Sequence, residues 1–515
     1  MPRDPKLLQP KEKKRVFLDL DSLTQWDHHV AQRFPQAEKV PIYGLEPGST
    51  GPWDAAQATS FGSVLKEDGL YRLWYYGLRL PKNHGEQADL PTVCYAISDD
   101  GIHWRKPDLK ITGQRLYPGN NLLAIPGAPC GVVRTLPGAD SKYLCCTITY
   151  AIPLEEDIQD VPGMPDPLKG GANGTLIWAS DDGLRWRYVT HVLTHGDNAC
   201  FYLDPATNRY RLYNKVGGMH GLRSRRMWIG LESPDGKQWE GYHGIRQWRE
   251  TFVCDDYDDL IAQQRGCDHA EIYCVGVYRA GEILVSVESI FDGTPPFREI
   301  AGQNPAALCH VRLGYSHDGY HWRYPKGRPA WLERGAPGEF DSGWMMTPST
   351  FVEDGDYLLF YYGGSRYDHD WCINTDFSTK TDVPLSEHRD QCRVMMAKIK
   401  RDRFASLSAV WKGRFDVDAD RRMGEALFAN VQAKNGEVRV ALAEKTDHYH
   451  GSLRKHEHLP GFSFDDCVPI TGDSVRAPVR FRNASVAQIP PDRPLTLRFE
   501  LTRAEIFAYE WMDPT

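Results

Sequence analysis

The 515-residue chain lacks any apolar run near the ~18 residues that a membrane-spanning helix needs. It also lacks a basic excess. Lys and Arg number 61 against 69 Asp and Glu, a net charge of −8, which argues against a nucleic-acid surface. The 12 cysteines form no CxxC pair, so they read as buried thiols rather than a disulfide or zinc framework. Met1 to Arg15 is polar and Pro-rich, without the apolar stretch of roughly 7–15 residues that a secretory signal carries. The expected location is the cytoplasm, or outside the cell if a signal has been removed. No Walker loop, no dinucleotide glycine motif after a strand and no Ser nucleophile elbow occurs.

Turn formers and aromatics are plentiful: Gly 46, Pro 35, Tyr 25 and Trp 15. With few Leu/Ala-rich helical periods, this composition favours many short strands. One punctuation recurs. Ser98-Asp-Asp100-Gly101-Ile-His-Trp104 returns as Ser180-Asp-Asp182-Gly183-Leu-Arg-Trp186, as Ser233-Pro-Asp235-Gly236-Lys-Gln-Trp239 and as Ser316-His-Asp318-Gly319-Tyr-His-Trp322. Met395 to Phe404 is a degenerate fifth copy. Asp-Gly suits a type I′ hairpin, in which both central residues take positive φ.

Between the copies lie alternating strand pairs such as Gly62–Tyr76, Phe201–Tyr213, Tyr273–Val285 and Thr350–Tyr362. Repeats of this length built from hairpins predict a five-bladed β-propeller over 51–408, after an N-terminal extension and leading strand over 1–50. The last hundred residues (409–515) lose the Asp-Gly-x-x-Trp copy but keep strand-like runs, which predicts a β-sandwich. The charged stretch 365–392 reads as a loop over one face of the fifth blade.

Innermost propeller strands converge on a funnel, so acids just ahead of them are candidate site residues. Four blades offer them: Asp54 after Trp53, Asp197 after His195, Asp268-His269-Ala-Glu271, and Asp341 shortly before Trp344. The second blade, at Ala128-Pro-Cys-Gly, has none.

With those acids in those blades, the chain resembles the five-bladed propeller glycoside hydrolases of families 32, 43, 62, 68 and 117, the β-fructosidase superfamily. It is most similar to an uncharacterised bacterial family-32-like group. The stretches carrying that likeness are Val16-Phe-Leu-Asp, Tyr95 to Pro107, Gly338-Glu-Phe-Asp-Ser-Gly, Tyr361-Tyr-Gly-Gly-Ser, Leu459 to Cys467 and Gly472-Asp-Ser-Val-Arg. The resemblance implies an Asp from blade one, an Asp from blade three and a Glu from blade four, positions filled here by Asp54, Asp197 and Glu271. The flanking residues depart from family-32 motifs: Pro-Trp-Asp54, Gly-Asp197-Asn and Ala-Glu271-Ile stand in place of Asn-Asp-Pro-Asn, Arg-Asp-Pro and Glu-Cys.

Glycoside hydrolysis needs a protonated acid at the leaving oxygen and an ionised carboxylate across the ring. Three crowded acids supply both, because like charges keep one of them protonated. The expected roles are Glu271 as acid, Asp54 as base or nucleophile, and Asp197 as tuner and ligand of sugar hydroxyls. Trp53, Trp344, His195, His269, Asp268 and Asp341 are the expected substrate-binding residues. Arg223, Arg225 and Arg226 read as a loop cluster that forms salt bridges or receives an acidic sugar.

His448, His450, His456 and His458 lack the Cys partners and helical spacing of a metal site. No cofactor is expected, although a structural cation such as calcium is compatible with the funnel acids. The expected partner is a carbohydrate substrate, with no nucleic acid and no membrane, and a sandwich edge that could pair subunits. The alternatives are a non-catalytic carbohydrate-binding propeller and a sialidase-like hydrolase. The latter calls for a sixth repeat and an Arg triad, which the sequence does not display.

Overall fold

The computed structural model describes residues 14–80, 92–149, 174–193, 197–220, 223–239, 250–293, 307–369, 389–419, 421–445, 457–491 and 493–513. These residues are nearly all β. They fall into two compact units, Ala37–Tyr278 with Val285–Lys398, and Met1–Gln36 with Arg279–Leu284 and Ile399–Thr515. The division differs from the expected boundaries at 50 and 408. Strands Lys14–Val16, Leu23–Trp26 and Val30–Arg33 pair with Leu495–Met512 and Ser406–Asp418, and so go with the C-terminal unit.

The larger unit contains, among the described residues, three four-stranded sheets in chain order. They run from Ala128–Arg134 to Arg187–Leu193, from Ala199–Asp204 to Glu250–Phe252 and from His269–Ala280 to Ala330–Leu332. A fourth, eleven-stranded sheet joins the start of the unit to its end. Cys392–Lys400 pairs antiparallel with Glu38–Val40 and parallel with Gln57–Thr59. Strand Tyr143–Thr149 is buried at every position, so it reads as an unbroken apolar run rather than an alternating one. Its Thr147 hydroxyl is spent on the indole N–H of Trp178, at 2.8 Å.

The recurrent turns are not the type I′ hairpins expected from Asp-Gly. The glycines 101, 183, 236 and 319 take φ near +75°, but the preceding Asp residues do not take positive φ. The carboxylate is the reason. Asp100 Oδ1 accepts from the Ile102 and His103 main-chain N–H groups, both at 2.8 Å, and Ser98 Oγ accepts from Gly101 N–H. The same bonds recur at Asp182, Asp235 and Asp318, and they hold Asp in its ordinary region. A pair with both residues at positive φ occurs instead at Asp68 (+50°) and Gly69 (+82°).

Three of these four buried glycines offer a carbonyl that is a docking point for another part of the unit. Tyr361 Oη donates to Gly101 O (2.8 Å), Trp74 Nε1 to Gly183 O (2.8 Å) and Tyr213 Oη to Gly319 O (3.0 Å). The φ of Gly319 favours glycine, and a Cβ there would also have to displace the Arg211 guanidinium, whose Nη1 would lie 2.2 Å away.

These turns predict an acid-labile contribution to stability. All four Asp carboxyls lie below their ordinary range, Asp318 at about 2. At Asp182, Asp235 and Asp318 burial opposes the shift, and the main-chain N–H bonds overcome it. At Asp100 the His103 imidazole leads. A carboxyl depressed in the folded state stabilises above its unfolded pKa, and that stabilisation disappears as pH falls through the folded value. The urea midpoint is therefore expected to stay level from pH 7 to 5 and to fall between about pH 4 and 2. Asp318→Asn should flatten part of that fall; an unchanged slope would remove the turns from the linkage.

The described residues of the smaller unit form a seven-stranded sheet. Its three longest strands break register at one level, around Ala409/Lys412, Gln432/Glu437 and the positive-φ Arg503. Bulges bend a sheet, and this line of them lets the long strands wrap a common core. Phe415 stacks on Phe499 there, with ring centroids 4.9 Å apart, beside Phe17.

Candidate functional site

Strand His269–Ala280 is buried along nearly its whole length, and its period of two puts His269, Glu271 and Tyr273 on one face. Glu271 is 4% exposed. Its Oε2 is ion-paired with the Arg226 guanidinium, while Oε1 lies 3.4 Å from the Arg226 main-chain N–H and 3.8 Å from His269 Nε2. Burial alone would lower Arg226, but Glu271, aided by Tyr273 and Asp197, holds it above its ordinary value. The two carboxylates therefore act on one guanidinium.

Asp197 approaches the same face from the neighbouring sheet. Its side chain is 50% exposed and pairs at 3.0 Å with the buried Nζ of Lys215, which stands 3.8 Å from the centre of the Tyr273 ring. Arg226 covers Phe291 (4.7 Å) and Tyr273 (5.6 Å). His269 Nδ1 is 3.2 Å from Asp268 Oδ2, and the Asp268 side chain is 46% exposed. Two half-exposed acids thus accompany a buried one, and two cations lie near the Tyr273 ring. The apolar wall is Tyr273, Phe291, Trp344 and His369, whose rings meet edge to face at 4.8–5.2 Å.

Asp54 is differently placed. The turn Pro52–Asp54 buries it completely, and three donors surround it: Lys106 Nζ at 2.7 Å, Tyr75 Oη at 2.8 Å and Gly48 N–H at 2.9 Å. Burial, then the Asp54 charge, raises Tyr75 well above the ordinary phenol value. Asp341 has a parallel surrounding, 2% exposed, with Lys39 Nζ and Tyr362 Oη both at 2.7 Å. Each accepts from a tyrosine 21 residues later. As they stand, neither carboxylate presents an oxygen to solvent.

Trp53 is also a packing residue in this arrangement. It is 4% exposed, gives its N–H to Asn121 Oδ1 at 2.7 Å and meets Tyr117 edge on. Trp344 is 2% exposed inside the aromatic wall. His195 lies outside the described residues, as do His448, His450 and His456. Arg225, read as loop, forms a buried pair with Asp259; the Arg223 side chain is outside the described set. Lys106, Lys215, Lys39 and His369 escaped sequence reading. A lone Lys or His carries no local signal of the acid or ring it will meet.

No protein-family model matches the chain. No curated protein matches it either. Solved structures do resemble it at low identity. A glycoside hydrolase family 43 arabinoxylan arabinofuranohydrolase from Bacillus subtilis is 11% identical over 92% of this chain and 99% of that one, with a TM-score of 0.39. A family 32 β-fructofuranosidase from Bombyx mori is 11% identical over 93% and 95%, with a TM-score of 0.36. An N-acetylgalactosamine deacetylase from F. plautii is 15% identical over 72% and 96%, with a TM-score of 0.45. None of these likenesses transfers a residue role.

Proposed function

We propose that the protein is a glycoside hydrolase, a five-bladed β-propeller followed by a β-sandwich, acting from chain ends on furanosides or related sugars of cytoplasmic oligosaccharides. The observation that carries the reading is the gathering of Asp197 and Glu271 about Tyr273, each tied to a buried or half-buried cation that lies near its ring. Five blades follow if the eleven-stranded sheet counts as two, joined by the parallel Cys392–Gln57 pairing.

Glu271 is the acid. The Arg226 guanidinium anchors Oε2, and Oε1, with only the long main-chain contact at 3.4 Å, carries the proton. The proton passes to the glycosidic oxygen, which takes the C1–O electron pair and leaves as an alcohol. Water bonds to C1 and gives its proton to Asp197, the half-exposed base; solvent then restores both acids. Asp54, expected as base or nucleophile, becomes a structural carboxylate in this reading because Lys106, Tyr75 and Gly48 occupy it. A calcium ion does not fit the same acids, since ammonium and guanidinium groups hold the oxygens it would bind. The mechanism has no step through a cation.

The test is a chromatographic screen of furanosides, pyranosides and plant or algal oligosaccharides with wild type, Glu271→Gln and Asp197→Asn. Both variants are expected to lose about 10²–10⁴-fold in turnover while still binding substrate. Wild-type rates in both would sink the assignment. One observation favours a second reading, a carbohydrate-binding propeller: Asp54, Asp197, Glu271 and Asp341 each already have a charged partner. That reading expects no turnover by wild type and undiminished binding by Glu271→Gln.

A further inference from the structure

The imidazole of His269 lies between two carboxylates of opposite exposure. Asp268 Oδ2 is 3.2 Å from Nδ1 and half-exposed; Glu271 Oε1 is 3.8 Å from Nε2 and buried. The ring itself is 1% exposed and lies on Gly293, where a Cβ would come within 2.7 Å of Cε1. The main chain fixes the same corner, with Asp268 N–H donating to Gly293 O at 2.7 Å. Only glycine at 293 leaves room for the ring in this position.

An ionised Asp268 accepts from Nδ1–H and so selects the tautomer whose Nε2 is a lone pair. That lone pair faces Glu271 Oε1, the oxygen that the Arg226 guanidinium does not hold and that the Arg226 main-chain N–H reaches only at 3.4 Å. We propose that Asp268 and His269 form a positioning dyad that keeps the Glu271 proton on Oε1, and so sets the pH range over which Glu271 acts as an acid. The inference rests on the glycoside hydrolase reading. A protonated Glu271 donates to neutral His269 while retaining its Arg226 bond, which closes the present gap by roughly an ångström to hydrogen-bond length.

The other charged groups around the pair are already spoken for. Arg226 holds Glu271, Asp197 acts on Arg226, and Arg225 is paired with Asp259, which also accepts from Ala270 N–H. On the far face of the strand that bears Gly293, Asp292 is taken by Arg265 and His310. Among the described residues, Asp268 is the carboxylate placed at Nδ1 to select the tautomer.

The experiment measures kcat/KM against pH for phenyl and 2,4-dinitrophenyl glycosides of the sugar that wild type releases. A phenyl leaving group needs acid assistance; a dinitrophenyl one does not. In His269→Gln the basic limb for the phenyl glycoside is expected to move down by about one pH unit, a roughly tenfold loss above it, with dinitrophenyl hydrolysis unchanged. Asp268→Asn, a solvent-side change that leaves the packed ring in place, should shift the same limb by a smaller amount.

A limb that stays put, or an equal loss on both substrates at every pH, would assign His269 to structure and overturn the dyad. A limb that moves up would show an imidazolium in wild type and overturn it too. Failure of the parent reading looks different: Glu271→Gln would then hydrolyse the phenyl glycoside as wild type does, or wild type would hydrolyse neither, and the dyad would fall with it.

Discussion

Replacing Arg312 with alanine is expected to destabilise the protein by about 3–5 kcal/mol, the usual result of stranding buried carboxylates. Arg312 is 2% exposed and joins three elements. Its Nε pairs with Glu288 at 3.0 Å, its Nη1 pairs with Asp258, and its guanidinium lies over Tyr324 at 4.2 Å. Asp258 belongs to the helix Asp256–Gln264, whose capping box with Asp255 ties the same charge to the start of the helix. Arg328 reaches both Asp255 and Asp258 at 2.6 Å, so Asp258 keeps a partner after the substitution. Glu288 keeps only a hydroxyl, Ser286 Oγ at 2.7 Å, among the contacts described. Burial already raises Glu288 above the ordinary carboxyl range even with Arg312 beside it. Urea unfolding followed by far-UV dichroism measures the loss. Arg312→Met with Glu288→Met should recover part of it, because removing both charges also removes their desolvation cost. A midpoint unchanged in Arg312→Ala would show that the network contributes nothing net.

The second large effect concerns Asp54. Lys106→Met leaves a carboxylate of zero exposure with only Tyr75 and the Gly48 N–H, and is expected to destabilise by about 3–5 kcal/mol. Asp54→Asn combined with Lys106→Met should be milder than Lys106→Met alone, since the amide carries no charge to strand. The pair also separates two roles for Asp54. A structural carboxylate makes Asp54→Asn fall in melting temperature while kcat at 25 °C stays within a few-fold of wild type. A catalytic base makes kcat collapse with the melting temperature preserved, and would return Asp54 to the position that family resemblance implies.

Much of the strand pattern could be read without a structure, because the rules behind it are short-range. Ser98, Asp100, Gly101 and Trp104 satisfy one another within a few residues, and the Ser, Asp and Gly of the three further copies repeat the main-chain part of that pattern. Even there the turn type was misread. Asp-Gly is shared by type I′ hairpins and by carboxylate-capped turns, and the Ser two residues before the Asp was the distinguishing signal. Glu271 and Asp197 were found by their place ahead of or at the start of strands, a one-dimensional feature. Asp54 and Asp341 were found by the same rule, yet the structure buries them, since position ahead of a strand says nothing about what will lie over it.

Sequence alone thus determined the nearly all-β class, the recurrent turns and the list of acids, all set by φ preferences, side-chain alternation and bonds between near neighbours. Tertiary structure decided which acid meets which cation. Lys106 reaches Asp54 across 52 residues and Arg226 reaches Glu271 across 45, so each partner comes from a distant part of the chain. Burial followed from the same packing, leaving Asp197 and Asp268 half-exposed and Glu271 covered. Charge and accessibility are properties of the assembled sheets, and no window of sequence contains them.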